Sequence, residues 1–266
     1  MRRWMPMMPE PRGFLARLAA LLLTLSLAAP AALRAELATE LWFEEFEPGV
    51  GSWRSRALIS EHWLRWDDGA STEVAAGDAV AGDSDSGDGH SGGDFLLFDR
   101  RTATLYNATR GDHSLLVIPR AAPLPEVPAA LGLVRERLPD EVPAVGGVAV
   151  SSYRLRANGV DCGGFSAAPG LLEDAAAALR DYRLAVAANN FARLGATPES
   201  LRDDCFLANN IHAVALRHGV GFPVAEWRLD DGRRRLLIDF TTAREVDAAL
   251  FALPDYRRYQ LPQPLQ

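Results

Sequence analysis

The stretch "FLLFDRRTATLYNATRGDHSLLVIP", residues 95–119, limits the possible folds of this chain more than any other. Its apolar runs at 95–98, 103–108 and 114–118 are too short for helices. Asp99-Arg100-Arg101 and Arg110-Gly111-Asp112 separate them as polar turns. That spacing predicts three short strands in an antiparallel meander. A second hairpin is expected at Asn158-Gly159, the pair best able to hold positive φ at both turn positions, with Tyr153 and Leu155 alternating before it. Near the C-terminus Ala225, Trp227 and Leu229 alternate with Val224, Glu226 and Arg228 before Asp231-Gly232 turns the chain into "RRRLLIDF". One face of that hairpin is expected to be core.

Between these β regions the period changes. From Leu171 to Leu194 the apolar positions Leu172, Ala175, Leu179, Tyr182 and Val186 recur three or four apart, Glu173 and Asp174 occupy the first turn, and Gly195 is a stop. A second helix is expected from Thr197 as cap and Pro198 as first residue to Gly219, with Leu207, Ile211 and Val214 on one face. The organisation read from the chain is a segment 1–35, then one β-rich domain, 36–266. A flexible acidic Gly/Ser/Asp loop at 69–93 and a helical insertion at 171–219 interrupt that domain. A proline-rich run from Pro119 to Pro143 carries a possible edge strand at "LGLVRER".

Residues 1–35 place basic Arg2 and Arg3 before an apolar run, Leu18 to Leu33, that ends among alanines. This order reads as a secretory signal peptide, too short to span a bilayer, and it predicts a periplasmic protein with no stable membrane insertion after cleavage. The full chain carries −7; taking away the first 35 residues, which hold five arginines and one glutamate, leaves −11. So acidic a chain is not expected to bind nucleic acid. All 28 basic residues are arginine, which removes Schiff-base lysine chemistry and the phosphate loop that ends in Gly-Lys-Ser/Thr.

Cys162 and Cys205 are the only cysteines. In an oxidising compartment they are expected to form one disulfide. The rival reading makes Cys162 a nucleophile, activated by His62, His113, His212 or His218, with Gly163-Gly164 donating amides to an oxyanion. No cofactor and no metal is expected. Counting Asp83 as the first position of a calcium loop puts Asp85 third and Asp94 twelfth. However, Gly87 stands at a ligand position and Asp88 where the turn glycine belongs, so the loop, His90 included, reads as a solvated insertion. His212 and His218, six apart on a helix, face different ways and cannot pair on one metal. Asn209 and Asn210 are either a polar site facing the sheet or an ordinary helix surface. Trp53, Trp63 and Trp66, with Trp42 and Phe43 upstream, are either core or the wall of an apolar pocket. Asn107-Ala108-Thr109 fits a glycosylation triplet.

The segments "WLRWDDG", "FLLFDRRTATLYN", "YRLRANGVDC" and "LIDFTTAREVDAALFALPDY" resemble a class of uncharacterised exported bacterial proteins. Their β half-barrel is similar to that of the periplasmic outer-membrane lipoprotein carriers. The resemblance rests on Gly159 to Cys162 and on Phe251 to Tyr256. It implies an α+β fold: a twisted, mostly antiparallel sheet curved into an incomplete barrel, with the helical pair inserted. The concave strand faces, expected to include Trp63, Leu105, Tyr153 and Trp227, then need a cover, and Leu172, Leu179 and Val186 supply a stripe for it. The functional expectation is a non-enzymatic envelope scaffold or interaction protein with an envelope protein as partner. The alternatives are a carrier of an apolar ligand or acyl chain, bound by Trp63, Tyr153 and Trp227, and a hydrolase using Cys162 or a His-Asp pair.

Overall fold

The computed structural model describes residues 35–69 and 94–261. Residues 1–34, in the segment read as a signal peptide, and nearly all of the acidic loop, with Asp83, Asp85 and His90, lie outside the described residues. Thirteen strands form one open, curved sheet. Its N-terminal half is a meander in chain order: β1 (Ala35–Glu47), β2 (Gly51–Ile59), β3 (Trp63–Asp68), β4 (Phe95–Asp99), β5 (Thr104–Thr109) and β6 (Ser114–Ile118). The last three are the strands expected from the alternation and its polar turns. The C-terminal half comprises β7 (Leu133–Arg137), β8 (Val142–Val145), β9 (Val148–Ala157), β10 (Val160–Ala168), β11 (Phe222–Arg228) and β12 (Arg234–Asp247). Asn158 and Gly159 turn β9 into β10 at φ 49° and 83°, the geometry that pair was expected to adopt.

The two halves join where β1 runs antiparallel to β12 from Ala35 opposite Asp247 to Phe46 opposite Arg234. Register shifts at Ala38/Glu40 and Trp42/Phe43 interrupt this pairing, and such bulges bend and twist long strands. Neighbours pair antiparallel throughout, except that β13 (Arg257–Gln260) lies parallel to β6 at one edge. The strand expected at "LGLVRER" is β7, at the other edge.

Helix α1 (Glu173–Ala192) lies across the concave face. Ala175, Ala178, Leu179 and Ala185 pack in one cluster with Leu41, Phe43, Leu64, Trp66, Phe98 and Leu105 from the N-terminal half and Val224 and Leu237 from the other. Alanines at the contact let the helix settle close to the strands. Leu172 and Val186 join the cluster's edge, so the expected stripe does cover the sheet.

The second helix differs from expectation. Thr197 and Pro198 precede only a short 3₁₀ turn, Glu199–Leu201. The α-helical part starts later, at α2 (Asp204–Leu207), where the Asp203 carboxylate caps the Phe206 amide at 2.7 Å. A π turn, Ala208–His212, separates it from α3 (Val214–His218), which ends at Gly219. Asp203 wins because its side chain reaches an otherwise unpartnered helix amide. The Cys162–Cys205 disulfide, Cα atoms 5.0 Å apart, pins α2 to β10.

The outer face has its own cover. Phe251 and Leu253 pack over Leu58, Phe95, Leu97 and Leu115, and buried Arg65 donates to the Leu250 carbonyl at 2.7 Å while pairing with Asp67 at 2.7 Å.

Candidate functional site

α1 packs on the open, curved sheet, and α3 lies beside it. A cavity of about 360 Å³ opens between the sheet, α1 and α3. Its floor is the inward side of three neighbouring strands: Glu45 of β1 lies opposite Arg235 of β12, and Arg235 opposite Glu226 of β11. Tyr182 and Arg183 of α1 and Arg217 and His218 of α3 form the roof, and Trp53 and Trp66 line the aromatic side.

Glu226 is the electrostatic centre. Three guanidinium groups surround its carboxylate: Arg235 at 3.5 Å, Arg217 at 3.6 Å and Arg183 at 3.7 Å. Burial works to raise the Glu226 pKa, but Arg183 and Arg217 outweigh it and hold the carboxyl below its ordinary range. Glu45 is different. Burial pushes its carboxyl up to about 7, while the Ser55 hydroxyl, donating at 3.0 Å, and the Arg183 charge pull it back toward the ionised form. Arg235 also donates to it, at 2.8 Å. Burial raises Asp68 at the rim as well. Burial pushes the His218 imidazole down to about 4; the Glu226 charge opposes this, and Arg183, Arg217 and Arg180 reinforce it. It is therefore neutral at neutral pH.

The π turn places Asn209 to organise this roof. Its amide donates to the Cys162 carbonyl at 3.1 Å and to Asp230 at 2.9 Å, and its oxygen accepts from Arg217. Asn210 accepts from Arg228 at 3.2 Å. The asparagine pair thus faces the sheet. Arg217 is only 7% exposed, yet its Nε has no hydrogen-bond partner, and neither has the buried Nδ1 of His218. Buried polar atoms are rarely left this way. Stacking on Phe43 and Tyr182 orders the aromatic side, with Trp66 between them at 5.3 and 6.4 Å and Arg235 over its ring at 4.6 Å.

The residues expected to bind a ligand do not share this cavity. Trp63 packs beside Tyr106 in the outer-face cluster. Tyr153 stacks on Phe165 at 5.2 Å beneath Arg135, which donates to the Leu216 carbonyl. Trp227 points to the opposite side of β11 from Glu226, its ring so close over Gly164 that a Cβ there would meet it at 2.3 Å. Gly163 and Gly164 thus serve close packing on β11, and Cys162 is bound to Cys205, which removes the nucleophile reading. His62 approaches Glu61 at 3.8 Å, His113 meets the Tyr256 ring and His212 the Phe191 ring. Asp94 accepts from the Arg110 amide at 2.9 Å, and Asn107 sits at the cavity rim. Among the described residues no group of three or more His, Cys, Asp or Glu is placed to hold a metal, and no helix is long and apolar enough to cross a membrane.

No family model matches the chain, and no curated protein matches it. Among solved structures it is similar to an uncharacterised conserved protein from Thermus thermophilus. The TM-score is 0.40 and the identity 9%, over 85% of this chain and 91% of that one. No function transfers at that level of likeness.

Proposed function

We propose that the chain is an exported, non-enzymatic binding protein of the bacterial envelope that receives a small polar ligand in the cavity beneath Arg217. One observation carries this reading: a space of about 360 Å³, within the range of small-molecule sites, is lined by three arginines, Arg183, Arg217 and Arg235, that converge on the single carboxylate of Glu226. The apolar hollow that an acyl chain would need is occupied by Leu179 and the alanines of α1. Export rests on the basic and apolar order of residues 1–35 and on the disulfide, which suits an oxidising compartment.

A scaffold reading has its own support. Leu229, Leu236 and Ile238, on and beside β12, are exposed apolar side chains on an acidic protein. A thermal-shift screen of small polar compounds separates the two. The binding reading expects compounds that raise the melting temperature of the wild type and leave that of Arg217→Met unchanged. A screen without such compounds, alongside a pulled-down envelope protein lost on Leu236→Glu, overturns it in favour of the scaffold.

A further inference from the structure

The cavity's charge balance says more about its occupant. Arg183, Arg217 and Arg235 converge on one ionised carboxylate, Glu226, while Glu45, paired with Arg235 at 2.8 Å, and Asp68 are both pushed by burial toward their neutral forms. The cluster therefore carries surplus positive charge in a place where two of its guanidinium groups are largely shielded from water: the Arg217 side chain is 8% exposed and that of Arg235 21%. Uncompensated buried charge is costly, so such a surplus implies a counter-charge. Arg228 is already matched by Asp230 at 2.7 Å and Asp231 at 3.1 Å, and Arg233 by Glu47 at 2.8 Å, so the surplus sits at the roof and floor and not at the mouth. Arg217 and His218, successive residues of α3, line the same cavity. Beside them Trp53, Phe46, Leu96 and Tyr182 give a wall that an apolar body can lie against.

We infer that the ligand is a small organic oxyanion, a phosphate, sulfonate or carboxylate on an apolar or aromatic body, whose charged group is held by Arg217 and Arg183 and whose body rests against Trp53 and Tyr182. This rests on the binding reading above and names its ligand class. Arginine suits the task because its planar fork presents paired donors to an oxyanion. Asn209 is a positioning residue that fixes the Arg217 fork from behind.

Titration calorimetry with phenyl phosphate, and with benzyl alcohol as its neutral counterpart, tests the inference on the intact protein. Phenyl phosphate is expected to bind saturably, and benzyl alcohol at least about tenfold more weakly. Arg217→Met is expected to cost about tenfold in phenyl phosphate affinity, and raised salt to weaken wild-type binding. Arg183→Met, at a side chain 29% exposed, gives a second loss in a variant less exposed to folding defects. Equal binding of both probes, insensitive to Arg217→Met, overturns the anion inference and leaves the binding reading standing. No binding of phenyl phosphate, benzoate or benzenesulfonate at about 1 mM by wild-type protein with an unchanged melting curve overturns both.

Discussion

Arg217 of α3 lies 3.6 Å from Glu226 of β11, so a buried ion pair ties the helix to the strand beneath it. Arg183 and Arg235 share the same carboxylate. The pair is consequently asymmetric: removing the acid strands three cations, whereas removing Arg217 leaves the acid two partners. Glu226→Gln is expected to destabilise by about 3–5 kcal/mol and Arg217→Met by clearly less, measured by urea denaturation. The reverse order would mean that Glu226, not Arg217, is the group left uncompensated.

The disulfide closes a loop across a sequence separation of 43, between β10 and α2. Chain-entropy arithmetic puts its contribution at about 4 kcal/mol as an upper estimate. Denaturation of Cys162→Ala/Cys205→Ala should show most of that loss. Because the bridge holds the segment that presents Asn209, Arg217 and His218, the variant should also bind phenyl phosphate more weakly. Unchanged binding would show that the roof is held by packing alone.

Leu179, 4% exposed, sits in the cluster that includes Phe98 and Leu105 across the sheet. If α1 is core and not a mobile cover, Leu179→Ala costs about 2–5 kcal/mol and unfolding keeps a single transition. A second, earlier transition assigned to α1 by hydrogen exchange would make it a lid.

His218 gives a pH signature. Its folded pKa, about 4, lies below the ordinary 6.5. The unfolded chain therefore takes up a proton between those values that the folded chain refuses. Stability is fully present above pH 6.5 and is lost as pH falls toward 4, by about 2 kcal/mol between pH 7 and pH 5. Glu45, raised by burial, contributes in the opposite sense in both proteins, so the comparison with His218→Gln isolates the histidine. Wild type and His218→Gln with parallel stability curves from pH 7 to 5 would place the imidazole in solvent.

Local chemistry made much of the frame legible in advance. Asn158-Gly159 could form only a tight turn, and the three runs between Phe95 and Ile118 could only be strands. Two cysteines in a chain expected to be exported pointed to the bridge. The cavity was hidden for a physical reason. On β11 the apolar set Ala225, Trp227, Leu229 suggests an inward Trp227, but the alternate set, Phe222, Val224 and Glu226, lies under the helices and Trp227 packs against Gly164. Both alternating sets carry apolar residues, and no pattern within a single strand says which of the two faces the core. The one available signal was Glu226 itself, an acid in register with Arg235 on the next strand. The start of the helical segment was misread because Thr197-Pro198 and Asp203 are both good caps, and only the fold selects between them.

The central claim is that the protein holds a small anion beneath Arg217 and not a lipid in its hollow. Native mass spectrometry of the protein purified from cells producing it tests this directly. The expected result is a bound species of a few hundred daltons, ionising as an anion, present on wild type and absent from Arg217→Met. A phospholipid or acyl-chain adduct retained equally by Arg217→Met would contradict it.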